Sequence, residues 1–142
     1  MSASVQFFNE GSINYPLDED KARTLFLQVM KALGKQEIDV NIIIKTDESL
    51  REMKKQYFNK DVYTDIISFI IEEEPVLEGE LYCSLERIRK NAAAYSEPEA
   101  REFARILIHG ACHLCGYEDS SEEERREMTR MENTFLNQFY NS

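Results

Sequence analysis

The chain has 142 residues and a formal net charge of −10, with 17 Lys and Arg against 27 Asp and Glu. This length suits a single domain spanning residues 1–142 with a substantial core, and the acidic balance disfavours indiscriminate binding of nucleic acid. The sequence has no apolar run of the roughly 18 residues that suggest a membrane span, no signal-peptide pattern and only three cysteines, so we expect a cytoplasmic protein without membrane partners.

Hydrophobic periodicity and helix-capping residues predict about four strands and five helices. In chain order these are a strand at 5–8, a helix at 18–33, a strand at 38–44, a helix at 48–57, strands at 66–71 and 79–84, and helices at 85–94, from about 98 through both histidines, and at 121–139. Asp18, Asp47 and Ser96 are the expected N-cap residues, the last in a capping box with Glu99. This order predicts an α/β fold of the α+β sandwich type. Its four-stranded sheet is mixed, and the histidine-bearing, zincin-like helix packs on that sheet.

The only two histidines of the chain lie four residues apart in this long helix. At that spacing His109 and His113 project from one helix face. Gly116 can adopt the left-handed conformation that ends helices, which allows the chain to bring Asp119 back over the same face. Two imidazoles and one carboxylate leave a fourth position open, as a catalytic zinc requires. We therefore predict one zinc ion held by His109, His113 and Asp119.

A structural interpretation of the same residues is also open. A histidine pair at this spacing is often surface decoration, and Asp119 could simply cap the next helix. The run Phe103–Ile108 before the pair is apolar at helical spacing, so the histidines belong to a largely buried helix. That context favours the metal site.

The cysteines form a competing pattern. Cys112 and Cys115 make a Cys-x-x-Cys pair, which occurs in structural zinc sites and in thiol–disulfide motifs. A structural site would need a second pair, and only Cys83 remains. A redox pair is expected at the start of a helix, whereas this one lies near a predicted end. We interpret the cysteines as small buried hydrophobes, with Cys112 as a further candidate ligand because it follows His109 by three residues.

The segment His109–Asp119 resembles the hallmark His-Gly-x-x-His-Leu-x-Gly-Tyr-Asp-His of the YbeY family, the bacterial rRNA maturation endoribonucleases. Thr64–Phe69 is similar to the family's Thr-Asp-Val-Leu-Ser-Phe, and Gly79–Ser84 to its Gly-Asp-Ile-x-Ile-Ser. Met128 matches a methionine of the family's last helix. The three motifs occur in the family's order, and the resemblance covers nearly the whole chain.

This resemblance implies a metal-dependent endoribonuclease that acts on single-stranded RNA in rRNA processing, near the 3′ end of small-subunit rRNA. Its implied partners are ribosomal RNA and the small ribosomal subunit. The candidate catalytic residues are Lys60 and Glu118, and the candidates for lining an RNA cleft are Tyr57, Thr64 and Ser84. A second interpretation is a ribosome-assembly binding factor with a mainly structural zinc and little catalysis.

Some positions depart from the family pattern. Asp119 stands where the family usually has a third histidine, and Glu118 where it has aspartate. Phe58 replaces an arginine associated with RNA handling or catalysis, and Lys54 replaces an asparagine. The missing arginine favours the binding-factor interpretation. Gly110 occupies the place of the general base in His-Glu-x-x-His proteases, which disfavours peptidase activity.

Overall fold

The computed structural model describes residues 2–11 and 13–141. Within these residues the chain forms the predicted four strands and five helices. The strands are β1 (Ala3–Asn9), β2 (Ile38–Lys45), β3 (Ile66–Glu72) and β4 (Leu77–Ser84). The helices are α1 (Glu19–Ala32), α2 (Asp47–Phe58), α3 (Leu85–Ala94), α4 (Glu99–Leu114) and α5 (Glu122–Asn141). Strand β4 begins two residues before the predicted Gly79, because Leu77 still pairs with Ile38 of β2.

The sheet is mixed, as predicted, with the strand order β1-β2-β4-β3. β1, β2 and β4 run parallel, and β3 pairs antiparallel with β4 at one edge. Alternate residues of the central strand β2 are fully buried on one face, which matches the period of two in a strand. These residues are Ile38, Val40, Ile42 and Ile44. They join side chains of α1, α3, α4 and α5 in one continuous apolar core.

Helix α4 lies close against β3 and β4 because a glycine faces the sheet. A Cβ atom at Gly110 would stand 2.8 Å from both Ile66 Cδ1 and Leu81 Cδ1. One turn later Leu114 contacts Gly79, so α4 and β4 run in opposite directions. This close approach fixes the two histidines that flank Gly110 at the β3 edge of the sheet.

Two of the predicted helix caps are wrong. Thr46, rather than Asp47, caps α2, accepting a hydrogen bond from Ser49 N. The Asp47 carboxylate is instead buried in an ion pair with Arg87, at 2.7 Å. Helix α4 begins after Pro98 without a side-chain cap, and Ser96 takes a left-handed φ of 55°, so the predicted capping box is absent there.

None of the helices in the described part of the chain is both long and apolar enough to cross a membrane.

Candidate metal centre

The end of α4 turns the chain back toward the histidines. Gly116 has a φ of +96°, in the left-handed region that glycine tolerates. Its amide donates to His113 O and the next amide, of Tyr117, donates to Cys112 O, which together form a Schellman motif. The chain therefore reverses direction within a few residues and carries Asp119 to the face of α4 that bears His109 and His113.

The structure brings the three predicted ligand side chains together. The two histidine Nε2 atoms are 3.1 Å apart. Asp119 Oδ2 lies 3.3 Å from His109 Nε2 and 3.4 Å from His113 Nε2. The histidine side chains are 22% and 21% exposed and the aspartate 40%. The group is thus fixed by the fold and reachable from solvent.

These distances fit a divalent metal ion. Ligands at 2.0–2.1 Å from a tetrahedral zinc stand about 3.3–3.4 Å from one another, which is close to all three separations here. Two imidazole nitrogens and one carboxylate oxygen suit zinc with an open fourth position, and the same donor set also holds non-haem Fe(II) in other proteins. Among the described residues, these three form the only group of three or more His, Cys, Asp or Glu side chains whose spacing could hold a metal ion.

Asp119 is available to the centre because other residues cap the next helix. Ser121 Oγ accepts from Glu124 N, and Glu124 Oε1 accepts from Ser121 N, forming a capping box at the start of α5. The alternative role of Asp119 as a helix cap is therefore filled by Ser121.

Glu132 of α5 orients the first histidine. Its Oε2 lies 2.7 Å from His109 Nδ1, so Nδ1 carries the proton and donates to the carboxylate. The lone pair of His109 is then on Nε2, the atom that faces His113 and Asp119. Arg105 Nη1 holds the other oxygen of Glu132 at 3.3 Å. The Glu132 side chain is only 10% exposed, which makes this arrangement rigid.

The same carboxylates set the electrostatics of His109. Burial lowers the pKa of its imidazole, but the hydrogen bond and charge of Glu132 and the charges of Asp119 and Asp65 raise it more, and the net pKa lies above the usual 6.5. The acids around His109 therefore favour a positive charge at or beside its imidazole. A divalent cation satisfies that preference without a proton on the imidazole.

A cleft of about 650 Å³ opens beside the three candidate ligands, between α4, the edge strand β3 and the end of α2. Of the residues predicted to act on RNA, three line it: Tyr57, Thr64 and Glu118. Lys60 is exposed on the segment that follows α2, outside the lining of the cleft. The cation that does line the cleft is Lys54.

Ser84 does not line the cleft, in contrast to its predicted place there. It is completely buried, its hydroxyl donates to Asp47 Oδ1 at 3.0 Å, and it accepts from Arg87 N as the N-cap of α3. The motif at the end of β4 thus has a structural role in this chain. It ties α2 to α3 through the buried Asp47.

Sequence reasoning missed two acids near the ligands. Glu132 follows Met128 by one turn in the apolar stripe of α5. An acid inside such a stripe could have been predicted to pair with a polar partner, because a buried charge needs one. Asp65 lies in a family motif without a predicted role. It borders the cavities on both sides of His109, and burial is the main cause that raises the pKa of its carboxyl. Asn91 Nδ2 donates to Asp65 Oδ2 at 3.3 Å.

The cysteines have the environment of packing residues. Cys83 and Cys112 are buried, and Cys115 Sγ contacts Met30 Sδ at 3.7 Å. Burial raises the pKa of the Cys112 thiol to about 12 and that of Cys115 to about 11. A redox pair needs a lowered thiol pKa, so these values support the packing interpretation.

Comparison with known proteins agrees with the motifs. The profile of the family described as Endoribonuclease YbeY matches residues 8–140. The chain is 35% identical to the Endoribonuclease YbeY of Flavobacterium psychrophilum, over 91% of this chain and 96% of that protein. The corresponding protein of Parabacteroides distasonis is 36% identical over 94% of both chains.

A solved structure supports the fold independently. The solution structure of a Thermotoga maritima protein superposes with a TM-score of 0.70 at 22% identity, covering 96% of this chain and 89% of that one. The fold, the order of the motifs and the curated relatives lead to one conclusion: this chain belongs to the Endoribonuclease YbeY family.

Proposed function

We propose that the protein is a zinc-dependent endoribonuclease that cleaves single-stranded RNA in rRNA processing, near the 3′ end of small-subunit rRNA. The observation that carries the proposal is the spacing of His109, His113 and Asp119, whose ligand atoms stand 3.1–3.4 Å apart beside an open cleft. Family membership supplies the reaction class. We further propose that it works in the cytoplasm and associates with the small ribosomal subunit.

The three ligands would hold one zinc ion, with Glu132 orienting His109. When bound, the ion supplies Lewis-acid stabilisation of a phosphoryl oxygen and a lowered pKa for water. The position of Asp119, partly exposed on the turn after α4, keeps one side of the ligand group open to the cleft. RNA could then reach the ligands from that side.

The residues around the ligands would handle protons and RNA. Glu118, exposed beside Asp119 on the cleft wall, is the candidate for transferring a proton to or from the reacting oxygens. Thr64 offers a hydroxyl, and the exposed ring of Tyr57 offers a surface on which a base can stack. Lys60 would supply positive charge to RNA that extends beyond the cleft.

The test is a nuclease assay on structured ribosomal RNA with purified, zinc-loaded protein. We expect wild type to cleave and His113→Ala to lose cleavage, because one of three ligands is gone. Glu123→Ala, an exposed acid of α5, serves as the matched control and should cleave like wild type. Circular dichroism establishes that all three are folded. Equal cleavage by wild type and His113→Ala would contradict the proposal and indicate a contaminating nuclease.

One observation favours a second candidate, a ribosome-assembly factor with a structural metal. Phe58 lines the cleft at the position where the family places an arginine, which removes a cation from the site. This candidate predicts that neither wild type nor His113→Ala cleaves RNA while both bind precursors of the small subunit. Binding without cleavage, measured by sedimentation with pre-ribosomal particles, would therefore select it over the nuclease.

A further inference from the structure

We propose that Lys54 binds a backbone phosphate of single-stranded RNA in the cleft, and that the ring of Phe58 positions its ammonium group. The inference rests on the proposed function, since it assumes that RNA enters this cleft. Position 58, where the family has an arginine, carries phenylalanine in this chain. The inference assigns the phosphate contact to Lys54, one turn earlier in α2.

The charge of the cleft creates the need for such a residue. Asp65, Glu118 and Asp119 all line it, and the carboxylates among them that hold no metal ion repel a phosphodiester chain. Proteins hold nucleic-acid backbones mainly through cations and other donors to phosphate oxygens. Among the described residues that line the cleft, Lys54 is the only lysine or arginine.

The structure holds the Lys54 ammonium at a defined place. Its Nζ lies 4.7 Å from the centroid of the Phe58 ring, one helical turn later in α2. That ring in turn stacks on Phe69 of β3, with centroids 6.0 Å apart and planes inclined by 24°. A chain of contacts thus connects the cation to the sheet, so less side-chain entropy is lost when it binds a ligand.

The ammonium also remains able to bind an anion. A cation–π contact uses the charge of the lysine but leaves N–H groups free to donate. Its neighbour Arg51, in contrast, donates to Asp61 at 2.7 Å and is occupied by that ion pair. No ion pair in the described part of the chain involves Lys54, whose partner is the Phe58 ring.

Tyr57 places a stacking surface beside this cation. Its side chain is 59% exposed and meets Phe69 edge to face, with centroids 5.4 Å apart and planes inclined by 70°. Aromatic rings next to cations are the usual means of binding single strands without sequence preference. A base on Tyr57 and a phosphate on Lys54 would together guide a single strand past the ligand group.

Salt-dependent binding tests the phosphate contact directly. The probe is a fluorescent 2′-O-methyl oligouridylate, checked on a gel for integrity, with zinc-loaded full-length protein. Removing one lysine–phosphate ion pair makes the slope of log K against log salt shallower by about 0.7 for a single strand. We expect this change and weaker binding for Lys54→Met. Lys54→Arg and Lys55→Met, the neighbouring exposed lysine, should keep the wild-type slope. Phe58→Leu should weaken binding at an unchanged slope.

Cleavage of unmodified oligouridylate separates this inference from the proposed function. If wild type cleaves but Lys54→Met has the same slope and affinity as Lys55→Met, the inference is overturned and the nuclease stands. If the slope depends on Lys54 in a protein that cleaves no RNA, the inference is supported and the nuclease proposal fails. A wild type that does not bind the probe overturns the inference, and one that also cleaves no RNA contradicts both proposals. Circular dichroism confirms that the variants are folded.

Discussion

Glu132 Oε2 lies 2.7 Å from His109 Nδ1, although the two residues are 23 positions apart in the chain. This hydrogen bond links α5 to α4 beside the candidate ligands. The carboxylate fixes which ring nitrogen of His109 faces Asp119. Helix α5 is therefore a part of the candidate metal centre as well as a cover for the core. The carboxylate is positioned by Arg105, so the orientation of the first ligand depends on contacts between α4 and α5.

We expect Glu132→Gln to weaken zinc binding by about 10–100-fold, the usual effect of losing a carboxylate partner of a metal-ligating histidine. The glutamine side chain can still accept a hydrogen bond from His109 Nδ1. Its neutral amide polarises the imidazole less than a carboxylate does, so Nε2 becomes a weaker metal ligand. Competition with a chromophoric chelator measures the affinity. Glu123→Gln, on the exposed face of α5, is the matched control. Equal affinities of the two variants would contradict the assigned role.

Gly110→Ala should destabilise the protein by about 1–3 kcal/mol, the usual cost of overpacking. Alanine favours helix more than glycine does, but its Cβ would stand 2.8 Å from Ile66 Cδ1 and Leu81 Cδ1. Urea unfolding measures the change. In a Leu81→Ala background the clash is partly relieved, so the same substitution should cost less there. Additive effects of the two substitutions would show that the close approach is not the cause.

Ser84→Ala should lower the free energy of unfolding by about 1–2 kcal/mol, because α3 loses its cap and Asp47 loses a hydrogen bond. Nuclease activity per folded molecule should stay at the wild-type level, since the hydroxyl is buried away from the cleft. Thermal unfolding and cleavage assays measure the two quantities, with exposed Ser120→Ala as the stability control. Lost cleavage at unchanged stability would restore Ser84 as an RNA contact.

The cysteines should resist alkylation in the folded state. Burial raises the pKa of Cys112 to about 12 and of Cys115 to about 11, from an ordinary 9.0, so little thiolate exists at pH 8. Because the unfolded chain ionises these thiols near pH 9 while burial keeps them protonated in the folded chain, the free energy of unfolding should fall as pH rises from about 9 to 11–12. Iodoacetamide labelling read by mass spectrometry should modify both residues only after unfolding. Rapid labelling of the native protein at pH 8 would instead indicate an activated thiol pair.

Local sequence patterns predicted most of the fold and the grouping of the three candidate ligand side chains. All four predicted strands are present, and Gly116 ended α4 in the expected turn because its left-handed φ is a local property. His109 and His113 are four residues apart, so the formation of α4 alone places both rings on one helix face. The expected turn at Gly116 also led to Asp119, although the YbeY family usually has a histidine at that position.

The predictions that were wrong depended on contacts between distant residues. Thr46 and Asp47 are both good caps, and the choice was made by Arg87, 40 residues away, which binds the aspartate. Ser84 was expected in the cleft because of a motif match, yet burial and the same aspartate turn it inward. The pairing of Glu132 with His109 likewise needs the packing of α5 on α4, which no local pattern specifies.

We propose that Asp119 completes a metal site with His109 and His113. The decisive measurement is elemental analysis of purified protein by mass spectrometry, with Glu118→Ala, the adjacent acid, as the matched control for Asp119→Ala. We predict one equivalent of zinc in wild type and in Glu118→Ala, and a clear loss of zinc in Asp119→Ala. A full equivalent of zinc retained by Asp119→Ala would show that Asp119 is not the third ligand, and a wild type that binds no divalent metal would rule out the metal site.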